Sequence, residues 1–314
     1  MQTRNIGSLA VSVVGLGCNN FGGRLDQERT TAVVNAALEA GINFFDTADV
    51  YGGTHSEEFI GRALGTRRRS VIVATKFGIP LDEQRKGGAK PEYIRRAVED
   101  SLQRLGTDYI DLYQLHRPDP EVPIADTLGA LDELKRAGKL REIGCSNFSV
   151  EQLREAEGAV QRGAARFVSV QNEYSLLKRD PERGVLAECA ARGIGFLPYC
   201  PLASGLLTGK YARGAAPPPP SARLADASAP MGSRFRSERN AQIAEELGRF
   251  ASGRGHSLLE LAFSWLLAQP AVSSVIAGAT SAEQTHANAA AAAWRLSSDE
   301  LGQIDRLAPL GASS

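Results

Sequence analysis

NFFDTADVYGGTHSEEFIG, residues 43–61, reads as one complete unit of secondary structure. The apolar run from Ile42 to Phe45 fits a strand covered on both faces. It stops at Asp46. Five residues on, Tyr51 precedes a glycine pair, and helical spacing begins at about residue 54. A buried strand that ends on a carboxylate and hands a phenol to a glycine-rich loop is the pattern to follow outward.

The same strand-then-helix unit recurs. Strands are predicted at 13–17, 43–48, 71–76, 109–116, 142–147, 167–174, 194–200 and 273–279. Helical patterns are predicted at 26–40, 54–64, 90–105, 123–138, 149–161, 180–192, 257–268 and 281–292. Glycines 41, 65, 106, 138 and 193 stand just past helix ends, and Pro91, Pro123 and Pro181 near helix starts. Eight β-then-α units match an α/β fold, the (β/α)8 TIM barrel, as a single domain over residues 1–314. Two extra helices, 237–252 and 298–309, and a long loop after the seventh strand, 211–237, complete it. That loop holds Pro217 to Pro220 and reads as a flexible insertion, or as a lid or cofactor clasp. An open doubly wound sheet is the alternative. It needs a phosphate turn after its first strand, and GLGCNNFGG, residues 15–23, has the wrong spacing.

Thirty-six basic and 36 acidic residues cancel. No net field draws the chain to nucleic acid or to an anionic membrane, and no apolar run is long enough to span a bilayer. Arg67-Arg68-Arg69 reads as a solvated turn. Cys18, Cys145, Cys189 and Cys200 lack paired spacing, which points to reduced thiols rather than disulfides or zinc, with Cys145 and Cys200 as packing residues. No metal site is expected. The N-terminus lacks a leader pattern, and the expected location is the cytoplasm. His55 reads as a rim or solvated residue, and His256 and His286 as exposed ones.

Asp46 has company. Other strands end on Lys76, on His116, on Ser146 and Asn147, on Gln171 and Asn172, and near Tyr199. In a barrel these ends converge on one face, where active sites are built. A single polar terminus is usually a turn former; a succession of them is not. Asp, Lys, His and Tyr together suit proton transfer to a developing alkoxide. Free tyrosine titrates near ~10, and a lysine cation beside it stabilises the phenolate. A buried lysine needs a carboxylate, and a histidine can orient a carbonyl.

These stretches resemble the aldo-keto reductase family over nearly the whole chain. The resemblance is carried by FDTADVYG (45–52), SEEFIGRAL (56–64), VIVATKFG (71–78), SLQRLGTDYIDLYQLHRPD (101–119), GKLREIGCSNFS (138–149), VQNEYSLL (170–177), PYCPLASGLLTGKY (198–211) and VIAGATSAEQTHANAAAA (275–292). It implies a catalytic tetrad: Tyr51 as general acid/base, Lys76 tuning it, Asp46 paired with Lys76, and His116 positioning the carbonyl. It also implies a cofactor site. Ser146, Asn147 and Gln171 would clamp the nicotinamide amide, and Tyr199 would stack on its ring. Leu202, Ser204, Gly205 and Leu207 would lie along the pyrophosphate. Ala277, Gly278, Ser281, Gln284 and Asn288 would hold the adenosine end.

The implied activity is NAD(P)H-dependent reduction of aldehydes or ketones, or the reverse, with hydride from the pro-R face. The partner is then a small-molecule carbonyl or alcohol. In one respect the chain departs from the pattern. Relatives preferring NADPH often carry Lys or Arg after the last Gly-Ala, whereas here Thr280 and Ser281 follow. NADPH is the favoured donor, with Ser281 at a helix start as a phosphate ligand, and NAD stays open. Two other readings keep the barrel: a Schiff base on Lys76, as in class I aldolases, and a cofactor-holding redox-sensor subunit with little turnover. Phe21, Phe77 and the 211–237 loop are candidates to line a substrate pocket.

Overall fold

The computed structural model describes residues 1–211, 224 and 234–311. The chain opens with a feature the sequence reading missed, an antiparallel hairpin of β1 (Thr3–Ile6) and β2 (Leu9–Ser12). Eight parallel strands follow: β3 (Val14–Gly17), β4 (Phe44–Asp46), β5 (Ile72–Phe77), β6 (Ile110–Leu115), β7 (Leu140–Ser146), β8 (Phe167–Glu173), β9 (Gly195–Tyr199) and β10 (Val275–Gly278). They pair in chain order, and β10 returns to pair with β3. A bridge between Phe196 and Val272, with Phe196 N–H to Ala271 O at 2.8 Å and Ser273 N–H to Phe196 O at 2.9 Å, brings β9 to the chain entering β10. The result is a nearly closed (β/α)8 TIM barrel.

The helices between strands are α1 (Gln27–Glu39), α2 (His55–Leu64), α3 (Pro91–Leu105), α4 (Ile124–Arg136), α5 (Val150–Gly158) and α6 (Val185–Arg192). Then come α7 (Glu238–Ser252), α8 (Leu258–Leu267), α9 (Ala282–Ala290) and α10 (Ser298–Leu307). α7 and α10 are the two extra helices expected. Of the 211–237 segment, residues 212–223 and 225–233 lie outside the described residues.

Two apolar layers hold the barrel. Inside it, Phe44, Ile72, Ala74, Leu112, Leu197 and Ile276 point inward, and the hairpin adds Ile6, Leu9 and Val11 to the same cluster. The hairpin thus plugs the end of the barrel away from the polar strand termini. Burying each such side chain contributes about 1.5–3 kcal/mol. Arg4 secures the plug through Nη2 to Leu267 O at 2.8 Å, and Ser8 N–H donates to Glu142 Oε1 at 2.9 Å. The second layer packs the outer strand faces against the helices, for example Val33, Ile94, Leu131 and Leu153 with Val73, Tyr113 and Ile143.

Two local expectations change. The helix expected over 180–192 is a 3-10 turn, Asp180–Arg183, followed by α6, because Gly184 at φ 145° breaks the path. Arg67 and Arg69 are exposed, but Arg68 is buried and pairs with Asp111 Oδ2 at 2.8 Å. The charge run therefore contains one core ion pair. Asp111 is fully buried, and besides Arg68 it is held by Arg141 on Oδ1 at 2.7 Å and by the Val73 N–H on Oδ2 at 3.0 Å.

Candidate active site

The C-terminal strand ends open on a cavity of about 1200 Å³. β4 places the buried Asp46 on its wall, and the parallel register sets Asp46 beside Ala74 and Lys76 beside Gln114. Lys76 is fully buried, and its Nζ donates to Asp46 Oδ2 and to Thr47 O, each at 2.7 Å. The remaining oxygen of Asp46, Oδ1, accepts from Gln171 Nε2 at 2.9 Å and Gln114 Nε2 at 3.3 Å. Every hydrogen-bond partner of this buried carboxylate is a donor.

Tyr51 sits where the 43–61 segment predicts, on the loop after β4. Lys76 Nζ lies 5.1 Å from the centre of its ring, and His116 meets it edge-on with ring centres 5.9 Å apart. Gly52 and Gly53 follow at φ +59° and +64°. A Cβ on Gly52 would stand 2.2 Å from Phe21 O, so only glycine lets this loop press against the loop after β3.

The protonation states follow from burial and neighbours. Burial opposes the charge of Lys76, but Asp46 and Tyr51 outweigh it and hold the ammonium above its ordinary range. For Tyr51 the balance differs from expectation. Lys76 does pull the phenol down, yet burial is the larger effect and leaves it raised. Tyr51 is therefore a phenol with a proton to give. Burial, then Lys76 and Arg117, push His116 down to about 2. Its imidazole is neutral at working pH.

The remaining expected residues are interlinked. Asn147 Nδ2 donates to His116 O at 3.0 Å and to Ser146 Oγ at 3.1 Å. Ser146 Oγ donates to Gln171 O at 2.7 Å, and Tyr199 OH donates to Asn147 Oδ1 at 2.9 Å. Asn147, Cys200, Ala203 and Ser204 all lie at positive φ, between +47° and +62°. Such backbone is unfavourable for side-chain-bearing residues and gathers at ligand sites.

Ser146, Asn147, Gln171, Tyr199, Leu202, Ser204, Gly205, Ala277, Gly278, Gln284 and Asn288 line the cavity. Leu207 and Ser281 do not. Leu207 is fully buried in the core, and Ser281 caps α9 by accepting from Gln284 N–H at 3.3 Å. Phe21 and Phe77 are likewise buried rather than lining, with Phe77 stacked on Tyr113. Cys200 is not a packing residue, since it is partly exposed and lines the cavity. His55 is exposed and off the cavity wall; His256 is part-buried and stacks on Trp294.

The sequence reading missed one group beneath the site and several that line it. Gln114, buried inside β6 two residues before His116, holds Asp46 Oδ1 but does not line the cavity. Asn19 and Asn20 lie in the glycine-rich stretch 15–23 and line the cavity; Asn20 Nδ2 donates to Ala279 O at 3.1 Å and ties the β3 loop to the β10 loop. Arg24, Arg29 and Lys210 also line the cavity, from the loops and helix that follow β3 and β9. β3 pairs with β10, and β9 lies on its other side. These three cations therefore flank the turn that lacks a cation of its own. Lys210 Nζ sits 3.0 Å from where a Cβ on Gly205 would stand.

Residues 13–309 match the model of the aldo/keto reductase family. The chain is 36% identical over 307 residues to the aldo-keto reductase YhdN of Bacillus subtilis (strain 168), covering 95% of this chain and 90% of that one. It is 35% identical over 311 residues to a probable aldo-keto reductase 1 of Glycine max, covering 96% and 86%. A probable voltage-gated potassium channel subunit beta of Oryza sativa subsp. japonica is 35% identical over 304 residues, covering 90% and 89%. The chain belongs to the aldo/keto reductase family.

Members of this family are oxidoreductases that act on small-molecule carbonyl compounds with a nicotinamide cofactor. The residues of this aldo/keto reductase fit such a group. The cavity offers a phenol and a neutral imidazole at one end. Elsewhere on its wall it offers Gly205, left-handed backbone at Ser204 and three cations, which suit phosphate groups. Among the described residues no helix is long and apolar enough to cross a membrane.

Proposed function

We propose that the protein is an NADPH-dependent reductase of aldehydes or ketones in which Tyr51 is the proton donor. The single observation behind this reading is the buried chain Asp46–Lys76 set under the Tyr51 ring, with neutral His116 across from it. The bound nicotinamide supplies the hydride. The carbonyl oxygen sits between Tyr51 and His116. His116 steers it without competing for a proton, because its own imidazole stays neutral. Tyr51 gives its proton to that oxygen as charge develops on it. The Lys76 ammonium, kept charged by Asp46, stabilises the phenolate left behind.

Ser146, Asn147 and Gln171 hold the carboxamide end of the cofactor and Tyr199 its ring. Leu202, Ser204 and Gly205 hold the pyrophosphate, and Ala277, Gly278, Gln284 and Asn288 the adenosine. In place of a cation after Gly278-Ala279, we assign the 2′-phosphate to Arg24, Arg29 or Lys210. That supports NADPH over NADH.

Lys76 is a poor Schiff-base former in this setting, since a protonated amine tied to Asp46 and Thr47 O is not a nucleophile. The channel-subunit relative supports a second reading, a cofactor-holding subunit that turns over slowly. Fluorescence titration with NADPH and NADH, followed by turnover of 4-nitrobenzaldehyde, separates these. Tighter binding of NADPH with steady turnover is the expected result. Tight binding with negligible turnover of any aldehyde favours the subunit reading. Binding of neither nucleotide overturns the cofactor assignment.

A further inference from the structure

Arg117 follows His116 directly at the C-terminal end of β6. Its side chain is exposed and lines the cavity. In the strand order β10-β3-β4-β5-β6-β7-β8-β9, β6 stands across the barrel from β10. Arg117 is thus remote from the β10 turn and its flanking cations, and beside Tyr51 and His116 instead. It is close enough to His116 to help hold the imidazole neutral.

No hydrogen bond or ion pair of Arg117 is found among the described residues, and the carboxylates around it are engaged. Asp119 takes the Ala89 N–H at 2.8 Å on Oδ2 and the Glu121 N–H at 3.0 Å on Oδ1. Asp46 is the one acidic residue among the described residues that line the cavity, and it is committed to Lys76, Gln114 and Gln171. The neighbouring wall on this side is apolar, with Val50 and Ile79. A guanidinium beside an apolar wall, with no protein anion to answer it, suits a ligand that brings both an apolar body and a negative charge.

We propose that Arg117 is a specificity residue that binds a carboxylate on the substrate, so that the preferred substrates are apolar aldehydes or ketones bearing a carboxylate. This rests on the carbonyl-reductase reading above. The carbonyl lies between Tyr51 and His116, the apolar body lies along Val50 and Ile79, and the carboxylate meets the fork of the guanidinium. A charge-assisted pair of this kind is worth roughly a 10-fold to 100-fold preference.

The test compares 4-carboxybenzaldehyde with its neutral methyl ester, methyl 4-formylbenzoate, for wild type, Arg117→Gln, Arg117→Lys and Arg117→Glu. Wild type is expected to show the lower KM for the acid. In Arg117→Gln the ratio of ester KM to acid KM should fall roughly 10-fold or more, further in Arg117→Glu, and recover partly in Arg117→Lys. Equal KM values in wild type, or equal shifts of both substrates in Arg117→Gln, would show that Arg117 serves only solvent and would overturn the assignment. Calorimetric binding of 4-(hydroxymethyl)benzoate to wild type and Arg117→Gln with NADP bound reads the same contact without turnover. Arg117-dependent binding with neither aldehyde reduced keeps the anion site and rejects the reductase reading. Binding that does not depend on Arg117 rejects the anion site.

Discussion

Lys76 carries two burdens, and its removal separates them. Its ammonium sits fully buried against Asp46, which is 3% exposed. Breaking a buried ion pair from one side typically costs about 3–5 kcal/mol, because the remaining charge is stranded. Lys76→Met is expected to lose stability on that scale in urea unfolding, and also to lose reduction rate through the Tyr51 phenolate. The double variant Lys76→Met, Asp46→Leu should recover much of the stability and none of the rate. Recovery of both would mean that the pair serves only the fold. At this scale the sequence shows a polar residue when it interrupts an apolar run, as Asp46, Lys76 and His116 do. Those three stand at the ends of their runs, whereas Gln114 stands inside its run, between Tyr113 and Leu115, and is not marked as a strand terminus. Arg24, Arg29 and Lys210 meet only through the closure of the barrel, so nothing local marks them.

Asp49 tests the Tyr51 loop as an element. Its carboxylate is 1% exposed, and neither oxygen has a hydrogen-bond partner. Burial, then the Glu57 carboxylate, raise it to about 7, outweighing the Arg104 and Lys76 cations. In the unfolded chain it ionises near ~3.9. Between those two values the unfolded state has released its proton and the folded state still holds it. Stability is therefore lost as pH rises from about 4 to about 7 and is not regained above. Asp49→Asn removes that loss. Its advantage over wild type in urea midpoint should grow from pH 5 to pH 8, by on the order of 2 kcal/mol in stability. An advantage independent of pH would show that Asp49 does not titrate in this range.

Gly52→Ala acts on the same loop. Its Cβ meets Phe21 O, and its φ is left-handed, so the loop must move. We expect at least about 1 kcal/mol of lost stability and, from a shift of about 1 Å at Tyr51, a rate lower by roughly 10²-fold. Unchanged kinetics would mean that the glycine pair does not place Tyr51. The glycine pair is visible in the sequence, but the close approach that requires it is not. The α6 break is similar: Pro181 reads as a helix start, and the turn at Gly184 depends on a φ the sequence does not state.

Across the whole molecule, alternation of strand and helix identifies the barrel because each strand is apolar on both faces, which a covered parallel sheet requires. The hairpin escapes that reading. Its strands are four residues each, and its alternation of Ile6, Leu9 and Val11 is too short to stand out. Yet it closes the inner core. Leu9→Ala should cost about 2–5 kcal/mol, as a core cavity does, while leaving nucleotide affinity within about 2-fold. A cost under about 1 kcal/mol would show the plug to be dispensable. The pocket is a property of the same scale: its wall draws on most of the strand termini, so the cations near β10 and Arg117 on the opposite side come to face one cavity only when the ring is complete.

The proposed function turns on Tyr51 as the proton donor. The direct measurement is reduction of 4-nitrobenzaldehyde by wild type and Tyr51→Phe, with NADPH affinity read by fluorescence on the same samples. Tyr51→Phe is expected to lose roughly 10²–10⁴-fold in kcat, the range of general acid catalysis, with NADPH affinity changed by less than about 3-fold. Wild-type kcat in Tyr51→Phe would contradict it.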